Sequence, residues 1–330
     1  MTPPIAVTLG DPAGIGPEIV AKSWELRERL AVGPFFAIGD ADAVGRIWRG
    51  KVRAVGDPEE AAACFAEALP VIHVDGAGPV APGKPDIEGA LNSLNALELG
   101  VGLSRSGAAS ALVTGPVSKA QLYAVGFTHA GQTEFVAERC GVAREAVAMM
   151  LVGPGLRTVP ATVHVPLRDV ADLLSVDLIA AKARITARGL ARNFGIESPR
   201  IAIAALNPHA GEEGALGREE IDIIAPAVEL LREEGLDIAG PYPADAMFHP
   251  RAREEYDAAL CLYHDQALIP LKALHFDEGV NLTLGLPIVR TSPDHGTAFG
   301  IAGRDSANPG AMIAALRTAA ACAEERRRQA

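Results

Sequence analysis

The chain reads as an α/β protein with a mixed or mostly parallel sheet, arranged in two lobes around a cleft. Three observations predict this. Short apolar runs such as Ile5-Ala-Val-Thr-Leu9 and Phe35-Phe-Ala-Ile38 are bounded by Gly, Pro or Asp, as buried parallel strands are. These runs alternate with stretches of helical period, the rhythm of βαβ units. At 330 residues the chain also exceeds an ordinary single core, so two lobes are expected.

The elements follow in order. A first strand at 5–9 runs into Gly10-Asp-Pro-Ala-Gly-Ile-Gly-Pro-Glu18, which opens a helix reaching about residue 30, with Pro17 in its first turn. A strand at 35–38 precedes an acidic turn and a helix from about Asp42. Residues 70–90 are rich in Pro and Gly and read as irregular, apart from a short strand at 71–74. Residues 87–106 have helical period, and 109–113 form a strand entering Thr114-Gly-Pro-Val-Ser-Lys119. Further strands are expected at 146–152, 159–165, 200–206, 258–263 and 282–289, with helices across 168–193, 218–236 and 308–325.

Composition excludes several classes of function. No apolar run approaches the ~20 residues of a membrane span. Met1-Thr-Pro-Pro lacks the basic and apolar regions of a signal peptide. The four cysteines lie far apart with no CxxC pair and read as free thiols, so a reducing, cytoplasmic location is expected. A formal charge of −11 disfavours nucleic acid and anionic membranes but not an anionic small molecule. Glu324-Glu-Arg-Arg-Arg-Gln-Ala330 reads as a solvated helix end, its arginines at the negative pole of the dipole.

Three histidines end three separate apolar runs, each followed by turn chemistry: His164 before Val165-Pro166, His209 in Asn207-Pro-His-Ala-Gly-Glu212, and His264 in His264-Asp-Gln266. A lone histidine there is ordinarily structural. Three with the same placement point to an open metal site, because ligands gather at the strand ends of such sheets. Asp245, in Gly240-Pro-Tyr-Pro-Ala-Asp-Ala246, could add a carboxylate or fix a histidine tautomer. Between 264 and 290 lie Asp265, Gln266, Lys272, Asn281 and Arg290, polar groups spaced among apolar ones that suit a substrate with carboxylate or phosphate groups.

Two glycine loops stay ambiguous. Residues 10–18 lack the third glycine of a dinucleotide fingerprint and read equally as a tight turn or a functional loop. Thr114 to Lys119 could bind an anion or simply cap a helix. Gly131-Gln-Thr-Glu-Phe135 gathers amide, hydroxyl and carboxylate in one turn.

These motifs, with Gly279-Val-Asn-Leu-Thr-Leu-Gly-Leu-Pro287 and Arg290-Thr-Ser-Pro-Asp-His-Gly-Thr-Ala298, resemble the 4-hydroxythreonine-4-phosphate dehydrogenase (PdxA) family of vitamin B6 synthesis. The likeness is collinear from near residue 5 to the C-terminal helix, and weaker over about 40–90. It implies a two-lobed α/β/α architecture like that of isocitrate and isopropylmalate dehydrogenases, with one lobe of 1–125 plus 285–330 and a second of 126–284. The second lobe would carry the metal histidines and the dimer contacts, with active sites in the interlobe cleft at a homodimer interface.

The resemblance places a divalent metal (Zn, Mg or Co) on His164, His209 and His264, shared between subunits. Substrate contacts fall on Gln132, Thr133, Lys272, Asn281 and Arg290, with Lys272 or Asp245 as proton-transfer residue. It implies NAD or NADP as cofactor, with no residues assigned to it, and oxidative decarboxylation of 4-phosphooxy-L-threonine to 3-amino-2-oxopropyl phosphate and CO2. Gln132 departs from the family, which has histidine there; glutamine can donate to a phosphate oxygen but cannot carry charge. The same chemistry on a phosphorylated threonate or erythronate, or on a dihydrodiol carboxylate, is the first alternative. A metal-dependent hydrolase or lyase without nucleotide is the second.

Overall fold

The computed structural model describes residues 2–74 and 80–330; part of the stretch read as irregular, 70–90, lies outside them. The chain divides into two compact units, Met1–Val142 with Leu286–Glu324, and Ala143–Gly285 with Glu325–Ala330. No helix among the described residues is long and apolar enough to cross a membrane.

The first unit holds β1 (Ile5–Thr8), α1 (Gly16–Glu25), β2 (Phe35–Gly39), α2 (Ala41–Ile47), β3 (Val52–Val55), α3 (Pro58–Cys64), β4 (Leu69–His73), α4 (Ile87–Arg105), β5 (Leu112–Thr114), α5 (Lys119–Ala124) and α6 (Gln132–Arg139). The second holds β6 (Ala148–Gly153), β7 (Leu156–Pro160), α7 (Val170–Leu173), α8 (Val176–Phe194), β8 (Ile201–Ala204), α9 (Ala225–Glu233), β9 (Ile238–Tyr242), α10 (Pro250–Arg253), β10 (Ala258–Cys261), α11 (His264–His275) and β11 (Val280–Leu284). The chain returns to the first unit with β12 (Arg290–Pro293) and then forms α12 (Gly310–Arg328).

In the first unit the strand order is β3-β4-β2-β1-β5-β12, every pair parallel. Burial on both faces explains why β1 and β2 are wholly apolar or small. In the second the order is β11-β6-β7-β10-β8-β9. Here β7, β10, β8 and β9 run parallel, while β11 and β6, and β6 and β7, pair antiparallel. The β6–β7 hairpin turns at Gly155, whose φ of +67° suits glycine.

Several boundaries differ from the expected ones for physical reasons. The run 282–289 is not one strand: Gly285 breaks it with φ +88°, where a Cβ would stand 2.1 Å from the Ala146 carbonyl oxygen. The strand expected over 159–165 ends at Pro160, so His164 lies in the connection beyond it. Helix 168–193 is interrupted at Leu174, where Ser175 caps α8 by accepting from the Leu178 N–H. Helix 218–236 opens with a π-turn, Glu220–Ile224. The first helix ends at Glu25, short of residue 30. Helix α11 contains Pro270, which masks its period in the sequence.

Candidate active site

Parallel pairing of β7, β10 and β8 sends their carboxyl ends to one edge of the second unit's sheet. His164, His264 and His209 follow those three ends in the same lateral order, and Asp245 follows the neighbouring β9. The His164 and His264 rings lie 5.6 Å apart between centroids, tilted by 44°. No set of three His, Cys, Asp or Glu side chains is gathered as a metal cluster among the described residues, so the pair His164–His264 is what one chain brings together. A hollow of about 290 Å³ runs between His164, Leu167, Val170, Tyr263 and His264. A second, beside it, is lined by His264, Asp265, Leu268, Ile269 and Lys272. Lys272 reaches the same face as His264 because eight residues make about two helical turns.

The strand exits are tied together by Thr162, which sequence reasoning did not single out, and by Gln266, which it grouped with residues suited to a substrate. Thr162 Oγ1 donates to the Leu262 carbonyl at 2.8 Å, joining the ends of β7 and β10. Buried Gln266 accepts from the Leu262 N–H at 2.7 Å and donates to the Ala205 carbonyl at 2.8 Å, joining β10 to β8. Asp265 Oδ1 lies 2.7 Å from His264 Nδ1. A carboxylate can only accept, so Nδ1 carries the hydrogen, and in the neutral ring the lone pair is on Nε2. The motif Tyr263-His-Asp-Gln266 was the signal available for these roles.

Two of the histidines sit on strained backbone: His164 has φ +51° and His209 φ +53°. His209 opens a run of positive φ continuing through Ala210, Gly211, Glu212 and Glu213. Left-handed backbone costs roughly 1–2 kcal/mol per non-glycine residue, and such conformations persist where neighbours fix them. Asn281 stands on β11 opposite Leu151, its Oδ1 buried with no hydrogen-bond partner among the described residues. Asp245 is exposed in a short turn after β9.

The remaining predicted residues belong to the first unit. Arg290, on β12, is 3% exposed and donates to Thr133 Oγ1 at 3.2 Å and Thr114 Oγ1 at 2.6 Å. Burial pushes its pKa down to about 10, partly offset by Glu134, so the guanidinium stays charged at neutral pH. Thr133 and Gln132 occupy the first turn of α6. Gln132 Nε2 donates to the Gly115 carbonyl at 3.1 Å, and its Oε1 is buried without a partner among the described residues. One of the two amide hydrogens expected for a phosphate is therefore taken by the backbone.

The glycine loops carry structural constraints of their own. A Cβ on Gly10 would stand 2.3 Å from the Pro116 carbonyl oxygen and one on Gly16 1.8 Å from that of Leu9, so close backbone approach demands both glycines. Asp11, whose carboxyl burial raises, accepts from the Ala13 N–H within this turn. Ser118 caps α5 by accepting from the Gln121 N–H. Among the other histidines, His73 and His249 accept backbone N–H bonds, His129 packs edge-to-face against Phe127 and Phe135, and the His275 ring covers Gly153.

A family model described as pyridoxal phosphate biosynthetic protein PdxA matches residues 31–319. The chain belongs to the PdxA family. A PdxA-family relative, the 4-hydroxythreonine-4-phosphate dehydrogenase of Zymomonas mobilis, is 58% identical over 98% of this chain and 96% of its own length. The crystal structure of 4-hydroxythreonine-4-phosphate dehydrogenase from Klebsiella pneumoniae is 36% identical, covers 97% of this chain and 99% of that one, and superposes with a TM-score of 0.87. A terephthalate 1,2-cis-dihydrodiol dehydrogenase from Burkholderia xenovorans LB400 is 30% identical over 96% of this chain and 97% of its own, with a TM-score of 0.64.

Proposed function

We propose that the chain oxidises 4-hydroxythreonine 4-phosphate, with decarboxylation, as a step toward pyridoxal phosphate. Carrying this is the near-full-length 58% identity to a dehydrogenase of that substrate, well above the 30% shared with the dihydrodiol enzyme. The reaction removes two hydrogens from a secondary alcohol and breaks the bond to the neighbouring carboxylate, releasing CO2.

His164, His264 and His209 would hold a divalent cation, and the donor chemistry fits one. Asp265 fixes the tautomer that leaves His264 Nε2 as donor, beside the His164 ring and an open hollow. When bound, such a cation lowers the pKa of a substrate hydroxyl, and NAD or NADP accepts the hydride. A second copy of the chain is the partner proposed to complete the cation's donor set. Leu167, 70% exposed, and Ile269, 64% exposed, line the two hollows and offer it an apolar surface.

Arg290, charged and buried, would hold an anionic group of the substrate through its guanidinium, with Thr133 orienting that guanidinium and Gln132 shaping the same turn. Lys272 and Asn281 would position the substrate's other polar groups. Lys272, on the His264 face of α11, would move the proton; Asp245 is the other residue proposed for that role. His264→Ala should abolish metal-dependent reduction of the nicotinamide and binding of Co2+ measured by calorimetry, while circular dichroism stays unchanged. Wild-type Co2+ affinity in that variant would remove His264 from the site.

A further inference from the structure

The loop carrying His209 is held from one side by a carboxylate that the reaction does not use. Glu220, 4% exposed, opens the π-turn before α9, a helix defect often found at functional sites. Its Oε1 accepts from the backbone N–H groups of Leu206 and Asn207, both at 2.8 Å. Its Oε2 accepts from Asn207 Nδ2 at 3.0 Å and lies 2.6 Å from where a Cβ on Gly211 would stand. Glu219 Oε2 holds the same Asn207 amide at 2.6 Å. One buried carboxylate thus grips the stem of the left-handed run and packs against its middle.

We propose that Glu220 is a positioning residue for the cation: by fixing Leu206 and Asn207 it sets the direction in which His209 presents its ring, and so tunes metal affinity. The proposal rests on reading His209 as a cation ligand. An amide cannot replace the carboxylate without conflict. In Glu220→Gln, Oε1 can still accept from the two backbone N–H groups, but Nε2 then meets Asn207 Nδ2, donor against donor. Turning the Asn207 amide over would set its Oδ1 against the Glu219 carboxylate. Either arrangement replaces a hydrogen bond with repulsion at the foot of the loop, two residues from His209.

The test is titration of Co2+ alone into the full-length metal-stripped wild type, His209→Ala, Glu220→Gln and Glu220→Ala, followed by calorimetry and by the visible bands of bound Co2+. Glu220→Gln should bind Co2+ about 10–100-fold more weakly, with shifted bands, and excess Co2+ should restore most of its turnover. Should Glu220→Ala fail to fold, Glu220→Gln alone decides. A Glu220→Gln protein that loses thermal stability but keeps wild-type Co2+ affinity and bands, beside a weakened His209→Ala, overturns the positioning role alone. Unchanged affinity in His209→Ala overturns the ligand reading and this proposal with it.

Discussion

At the scale of single residues, the proposed chemistry rests on groups whose state is set by their immediate neighbours. Asp265 holds His264 in one tautomer. Asp265→Asn should weaken Co2+ binding by about 10–100-fold, because second-layer partners orient and polarise their ligand; titration calorimetry reads this directly. Arg290 is a buried guanidinium whose pKa burial lowers to about 10, and its proposed role is to hold an anionic group of the substrate. Arg290→Met should leave the thermal midpoint unchanged or raised, since buried charges are often replaced by apolar side chains without loss. The same variant should lose about 10–100-fold in kcat/KM, the worth of one or two charge-assisted hydrogen bonds. A variant that is both less stable and fully active would contradict both roles. That His164, His209 and His264 follow the ends of three strands was legible from the apolar runs before them. Glu220 and Thr162 were not, because their roles depend on hydrogen bonds to backbone atoms far along the chain.

At the scale of elements, the strand exits that carry the histidines are pinned at both ends. At the far ends of β8 and β10, the Arg200 N–H donates to Asp257 Oδ2 at 2.8 Å, and the Asp257 N–H returns a bond to the Arg200 carbonyl at 2.8 Å. Burial works against the Asp257 carboxylate, but the Arg200 side chain and backbone outweigh it and hold its pKa below the ordinary value. The bonds to the charged form are therefore fully present above the unfolded pKa and lost as pH falls through the depressed folded one. Asp257→Asn should cost about 1 kcal/mol at neutral pH, a difference that urea titration should find vanishing in strong acid. Gly285→Ala tests the break between β11 and β12: strained φ and a clash with Ala146 should cost at least about 1–3 kcal/mol. The buried strands were readable from apolar runs, and the β6–β7 hairpin could have been from Gly153-Pro-Gly155. Helix α11 was hidden by Pro270, and the split of 282–289 could have been read from Gly285-Leu-Pro287, though not the close backbone approach behind it.

At the scale of the whole molecule, the order of strands sets side by side the three ends that His164, His264 and His209 follow, although these residues span a hundred positions: β7, β10 and β8 are neighbours in space, though not in sequence. That lateral order was not legible, whereas the α/β class was, because alternation of apolar runs and helical periods is local. Sedimentation should give a dimer of the 34.3 kDa chain, and Leu167→Asp with Ile269→Asp should yield a monomer with weakened Co2+ affinity. The most direct test of the function is steady-state production of reduced nicotinamide by metal-stripped protein with a divalent cation restored. 4-Hydroxythreonine 4-phosphate would be compared with phosphorylated threonate and a dihydrodiol carboxylate. Strictly metal-dependent turnover of 4-hydroxythreonine 4-phosphate, faster than of either alternative, is the predicted result. Turnover of the dihydrodiol or threonate substrate with none of 4-hydroxythreonine 4-phosphate, or activity indifferent to the cation, would contradict it.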